Sequence, residues 1–230
     1  MAISSTNAAA RIRVNPLIPR LCHWVNALAI FIMVGSGWRI YNSEPIVPGL
    51  IPYFNHRYTL GGDFELSFKL HGEPGLAGAT LWHFAGMWLL VINFLVYVAY
   101  GIVSGRFRRK LLPLRPREIL RDALAALTFR LPHQVGIYNS VQRLLYVGVL
   151  GLIALAILSG LAIWKPVQLQ ELTWLLGGFQ SARVVHFLCM AGIVAFVVVH
   201  LALVALVPRT LATMVTGFAR AHHPTPGGRP

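Results

Sequence analysis

Apolar residues run along this chain in four long blocks, at about 17–41, 80–104, 141–164 and 182–207. Each block meets the need for about 20 apolar residues to cross hydrocarbon as a helix. None of them contains Asp or Glu. All seven acids, Glu44, Asp63, Glu65, Glu73, Glu118, Asp122 and Glu171, fall outside. A segment in lipid has no water to satisfy its peptide groups, so each block predicts a helix. The expected fold class is all-α: an integral membrane four-helix bundle, running up, down, up, down.

The segments between blocks divide the chain further. Residues 1–16 form an N-terminal segment without the apolar core of a signal peptide, so cleavage is not expected. The bundle spans 17–208. It includes a long loop at 42–78, rich in Pro and Gly and carrying Tyr53, Phe54, Tyr58, Phe64 and Phe68. A loop of this length suggests a binding role. A second loop at 105–140 contains "REILRDALAALTFR", which has the spacing of a short amphipathic helix. The short loop "KPVQLQELTWLLGGFQS" offers "LTWLL" as an interfacial segment. The tail at 209–230 is expected to be disordered.

Composition agrees with the pattern. Of the 230 residues, 56% are hydrophobic and 12% charged, against about 25% charged in soluble domains. The net charge of +13 raises the question of nucleic acid, but its distribution answers otherwise. The 105–140 loop carries eight Lys/Arg against two acids. The 42–78 loop carries Arg57 and Lys69 against four acids. The positive-inside rule then puts the basic loop and both termini in the cytoplasm and the acidic loop outside, periplasmic in a bacterium. Topology accounts for the charge without nucleic acid. The expected location is the inner (cytoplasmic) membrane, with lipid around the bundle. Cys22 and Cys189 sit in spans and read as packing residues. No CxxCH motif is present, so covalent haem attachment is unsupported.

Nine histidines are present. His56, His71, His133, His222 and His223 lie in loops or the tail, where no cofactor role is expected, and His222 and His223 read as solvated. His23, His83, His186 and His200 lie in spans, where a polar side chain is costly and defaults to function. By depth, His23 and His200 are near the cytoplasmic face, and His83 and His186 near the outer face. His186 and His200 are roughly 21 Å apart along one helix and within about 40° of the same face. Two bis-imidazole sites stacked across the bilayer follow. Two imidazoles are too few for zinc, whereas haem needs only its axial positions filled. Gly37 lies on the ligand face of the first helix at the outer level, where it would make room for a ring. Arg20 and Arg143 are candidate propionate partners inside, with Gln142 beside them. Arg39, Lys165 and Arg183 are candidates outside. Snorkelling cations at helix ends are the competing account.

The stretches "RLCHWVNALAIFIMVGSGWRIYN", "LWHFAGMWLLVINFLVYVAYG", "YNSVQRLLYVGVLGLIALAILSGLAIWKP" and "RVVHFLCMAGIVAFVVVHLALV" together resemble the bacterial di-haem cytochrome b family (bacterial cytochrome b561). That family includes the b-type subunits of nickel–iron hydrogenases. Cytochrome subunits of thiosulfate reductase and formate dehydrogenase gamma subunits are similar. The resemblance implies two b-type haems, on His23/His200 and on His83/His186, in agreement with the depth argument. It also implies an electron-transfer subunit, rather than a stand-alone catalyst, linking the quinone pool to a periplasmic redox enzyme of molybdopterin or hydrogenase type. "SGWRIYN" and "SGLAIWKPVQL" look most similar to members that accompany exported molybdopterin oxidoreductases. Asn26, Tyr97, Gln142 and Tyr146 are inner-side candidates for quinone protonation. The alternative is a stand-alone cytochrome that oxidises superoxide and reduces quinone. Partner identity and direction of flow are not encoded in these motifs.

Overall fold

The computed structural model describes residues 11–43, 46, 76–112, 114–127 and 139–220. Most of the 42–78 loop, with its aromatics and its expected docking role, lies outside the described residues, as do His56, His71, His133, His222 and His223. The elements in chain order are β1 (Arg11–Arg13), α1 (Leu17–Ser43), α2 (Leu76–Val103), α3 (Arg106–Lys110), α4 (Pro116–Leu127), α5 (Ser140–Trp164), α6 (Gln170–Leu175), α7 (Phe179–Leu206), α8 (Arg209–Thr216) and β2 (Phe218–Arg220).

Helices α1, α2, α5 and α7 are the four expected spans, each long and apolar enough to cross a membrane. Their ends follow local chemistry. Pro19 sits in the first turn of α1, where its missing N–H costs nothing. Helix α2 ends at Val103, and Gly105, with a φ of +64°, turns the chain into α3. Asn139 caps α5 through a capping box with Gln142, satisfying two donors that the first turn leaves over. The amphipathic helix expected in the basic loop is α4. Asp122 on α4 accepts from the Ser140 backbone N–H at 2.9 Å, which fastens α4 to the start of α5.

Packing divides the bundle into two pairs. Helix α1 lies along α2, and α5 lies along α7, while backbone approach between the pairs is sparse. Large side chains bridge that gap: Tyr41 stacks on Phe187 at 4.7 Å, and Phe84 meets Trp164 at 5.3 Å between ring centres. A buried layer of Ala29, Leu90, Ile153, Ala156, Cys189 and Ile193 draws on all four long helices. Both cysteines are buried and free, as packing residues should be. Phe31, Trp88, Leu95 and Val198 point outward and are each more than half exposed. Apolar surface of that extent suits lipid rather than water.

The tail corrects the sequence expectation. Residues 209–220 form α8 and β2, and β2 pairs antiparallel with β1 in the register Arg11↔Arg220, Ile12↔Ala219, Arg13↔Phe218. The Val14 and Asn15 N–H groups continue this pairing onto the Gly217 carbonyl at 2.9 and 3.2 Å. The order comes from the N-terminal segment, which supplies partners that the tail lacks by itself. Residues 221–230 lie outside the described residues.

Candidate cofactor site

Four imidazoles meet as two pairs at opposite ends of the bundle. His83 on α2 faces His186 on α7 with ring centres 6.2 Å apart and planes at 71°. His23 on α1 faces His200 on α7 at 6.0 Å and 64°. The pairs are those expected from the sequence. The buried apolar layer falls between them along the helices.

The spacing tests the fit of a cofactor. Two metal–imidazole bonds of about 2 Å, plus about 1.1 Å from each nitrogen to its ring centre, separate bis-histidine rings by about 6.2 Å. Both pairs match that separation. Among the described residues, no group of three or more His, Cys, Asp or Glu is placed to hold a metal ion. A closed site built from protein ligands alone is therefore absent from the described residues. A metal that brings its own equatorial ligands, as haem iron does, fits the two-imidazole donor set.

Glycine makes the space for the rings. A Cβ on Gly37 would stand 3.2 Å from His83 Cε1, and one on Gly160 would stand 3.1 Å from His186 Cε1. Gly37 was legible from its spacing to His23; Gly160 was missed. So were the serines beside them. Ser36 Oγ lies 3.0 Å from His83 Nδ1, and Ser159 Oγ lies 3.1 Å from His186 Nδ1. Both serines are fully buried. A serine in a span reads as a small packing residue, but the repeated Ser-Gly step on α1 and α5 was an available signal.

The candidate cations separate. Arg20 is engaged at the end of α8. It donates from Nε to the Met214 carbonyl at 3.2 Å and from Nη2 to the Val215 carbonyl. These are orphan carbonyls at the end of α8, where a cation also suits the helix dipole. In this structure Arg20 thus caps α8. Arg143 lies near Lys110. Burial, and then the Arg106 and Arg143 guanidinium groups, push the Lys110 ammonium below its ordinary range. Positive charge is thus concentrated at the His23/His200 end and remains suited to anionic propionates. At the other end, Lys165 lies over the Trp164 ring at 4.9 Å. Arg39 is partly buried and one turn beyond Ser36. Arg183 donates to Gln180 at 3.0 Å.

Three of the four polar side chains expected to serve quinone protonation have contacts in the structure. Asn93 donates to the Cys22 carbonyl at 2.9 Å and to Asn26 at 3.3 Å, so Asn26 belongs to an α1–α2 clamp. Gln142 belongs to the α5 capping box. Tyr97 meets Phe107 at 5.6 Å between ring centres.

Four apolar helices enclosing two imidazole pairs define the class: a membrane-embedded bundle suited to haem. The chain belongs to the prokaryotic cytochrome b561 family, whose model matches residues 14–217; it is an integral membrane, b-type haem protein. It is 45% identical over 205 residues to a putative protein-methionine-sulfoxide reductase subunit YedZ1 from Azospira oryzae. That match covers 89% of this chain and 96% of the relative. It is also 24% identical over 199 residues to a probable Ni/Fe-hydrogenase B-type cytochrome subunit from Bradyrhizobium diazoefficiens, covering 79% of this chain and 73% of the relative.

Proposed function

We propose that this chain holds two b-type haems at two depths and links the quinone pool to a redox enzyme on the outer face of the bacterial inner membrane. The observation that carries the reading is the pair of imidazole pairs at bis-histidine spacing, 6.0 and 6.2 Å, at opposite ends of one bundle. His23 and His200 hold the haem nearer the cytoplasm, and His83 and His186 the haem nearer the periplasm. Haem iron, when bound, supplies one-electron chemistry that no side chain here supplies. The chain's own residues fix position and surroundings. Gly37 and Gly160 open the outer level, the apolar layer around Ala29, Leu90 and Ile193 excludes water between levels, and Arg143 with Lys110 offers positive charge inside. The orientation rests on eight cations in the 105–140 loop against an acid excess in the 42–78 loop.

The partner is an oxidoreductase subunit. The name of the 45%-identical relative favours one that reduces methionine sulfoxide over a hydrogenase. The segment at 172–179 belongs to its docking surface, and the 42–78 loop, most of which lies outside the described residues, is expected to contribute to it. Trp174 and Leu175 on α6 are strongly exposed, in keeping with an aromatic and apolar contact at the membrane surface.

The test uses membranes containing the chain and its partner. Quinol should reduce the b haems, and methionine sulfoxide should reoxidise them only when the partner is present. His83→Ala should remove the outer haem, and His200→Ala the inner one, each leaving one haem per chain. Superoxide-dependent haem reduction without any partner would instead favour a stand-alone oxidase.

A further inference from the structure

The two helix pairs are copies of one unit. A single register step along α1 and α5 carries Arg20 to Arg143, Ser36 to Ser159, Gly37 to Gly160 and Tyr41 to Trp164. A second step along α2 and α7, both 28 residues long, carries Ala79 to Ala182, His83 to His186 and Phe84 to Phe187. The contacts repeat along with the residues. Ser36 meets His83 as Ser159 meets His186, at 3.0 and 3.1 Å. Tyr41 meets Phe187 as Trp164 meets Phe84. Ala79 and Ala182 are both fully buried. The outer histidines thus form a matched pair about a pseudo-two-fold axis. The inner level breaks the match: the same steps carry His23 to Tyr146 and Tyr97 to His200.

We propose that Ser36 and Ser159 are matched positioning residues that share the Nδ1–H of His83 and His186 with the Met33 and Ala156 carbonyls and lower the midpoint potential of the haem that these histidines would hold. Proton accounting carries the tautomer. Each serine hydroxyl has one hydrogen, and each donates it back along its own helix. Ser36 Oγ reaches the Ile32 carbonyl at 2.6 Å, and Ser159 Oγ the Leu155 carbonyl at 2.7 Å. The hydroxyl oxygen therefore meets the imidazole as an acceptor, and Nδ1 carries the ring hydrogen. His186 Nδ1 also lies 2.9 Å from the Ala156 carbonyl, which can only accept. His83 meets the Met33 carbonyl at the matching position. With Nδ1 protonated, the lone pair sits on Nε2, the nitrogen left for iron. A hydrogen bond from Nδ1–H makes imidazole a stronger electron donor, which favours ferric over ferrous iron and lowers the potential. Among the described residues, no hydrogen bond of this kind meets His23 or His200, so the effect belongs to one haem of the two.

This inference rests on the reading of His83 and His186 as ligands of one haem, and the test separates the two claims. The purified chain is titrated spectro-potentiometrically, with haem content counted by pyridine haemochrome in the same samples. His200→Ala, which keeps the outer haem, identifies the outer component. Ser36→Ala and Ser159→Ala should each move the outer component to higher potential, and the double variant should move it further. Haem content and the inner component should stay put, and Ser36→Thr should retain the parent potential. An unmoved outer component in the double variant overturns the inference while leaving the two-haem reading intact. So does haem loss from either single variant, because the Met33 and Ala156 carbonyls remain to hold the rings. A parent chain that holds no haem at this level refutes the underlying reading instead.

Discussion

At the scale of the residue, the outer imidazoles are held by groups that leave little play. Gly160 lies against His186 so closely that a Cβ would stand 3.1 Å from Cε1, tighter than ordinary van der Waals contact. Alanine would gain about 1 kcal/mol of helix propensity and oblige the ring to shift slightly. A larger side chain has nowhere to go. Gly160→Leu is therefore expected to lower haem content from two to one per chain while leaving α5 helical, as read by pyridine haemochrome and far-ultraviolet circular dichroism. Retention of both haems would show that the cradle is looser than this spacing implies. The four ligand candidates were legible in the sequence because a histidine in a span stands out by cost alone. Ser36 and Ser159 were not, since a serine is small enough to pass as packing. Only the fold reveals that each faces an imidazole nitrogen.

Among the elements, the four spans were legible to within a few residues, because lipid imposes one length and one composition on any helix that crosses it. What was missed depends on contacts between distant segments. Helix α8 is only eight residues long and reads as part of a disordered tail, but Arg20 caps its carbonyls and Asn15 reaches Thr213. Gly217 closes this junction at φ +86°, with Arg20 Nη1 only 2.8 Å from where a Cβ would be. Gly217→Ala should cost about 1–2 kcal/mol from the left-handed backbone alone, and should expose residues 209–220 to limited proteolysis while leaving the haem spectrum intact. The α4–α5 junction answers to pH. The Ser140 N–H bond, with lesser help from Arg121, holds the Asp122 carboxyl below the usual carboxylate range. Its folded value is depressed, so the contribution is complete above the unfolded carboxylate pKa of about 3.9. It is lost as pH falls through the lower folded value. Protection of the Ser140 amide, measured against the intrinsic exchange rate at each pH, should thus be high at neutral pH and fall in acid. Asp122→Ala should show fast exchange throughout; equal protection in the variant would remove Asp122 from the junction.

At the scale of the molecule, two similar helix pairs face each other across a gap that side chains bridge and backbones do not. That arrangement follows the sequence only in outline. Periodicity and hydropathy report each helix separately, whereas the internal repeat appears when Ser36 is set beside Ser159 and His83 beside His186. The repeat breaks at the other level, where Tyr146 stands at the position equivalent to His23 and Tyr97 at the position equivalent to His200. Orientation is a property of the whole chain and has its own test. A reporter fused after Arg109 should mark the cytoplasm, and one inserted near Asp63 should mark the periplasm. Reversed labelling would exchange the inner and outer positions of the two sites.

The central claim is that the two imidazole pairs each hold a haem, and counting haem tests it most directly. The detergent-purified chain, quantified by amino-acid analysis and assayed as pyridine haemochrome, should contain two b-type haems per polypeptide, both low-spin. A ratio of one would leave one of the 6.0 and 6.2 Å pairs without the cofactor assigned to it, and a ratio of zero would contradict the account outright.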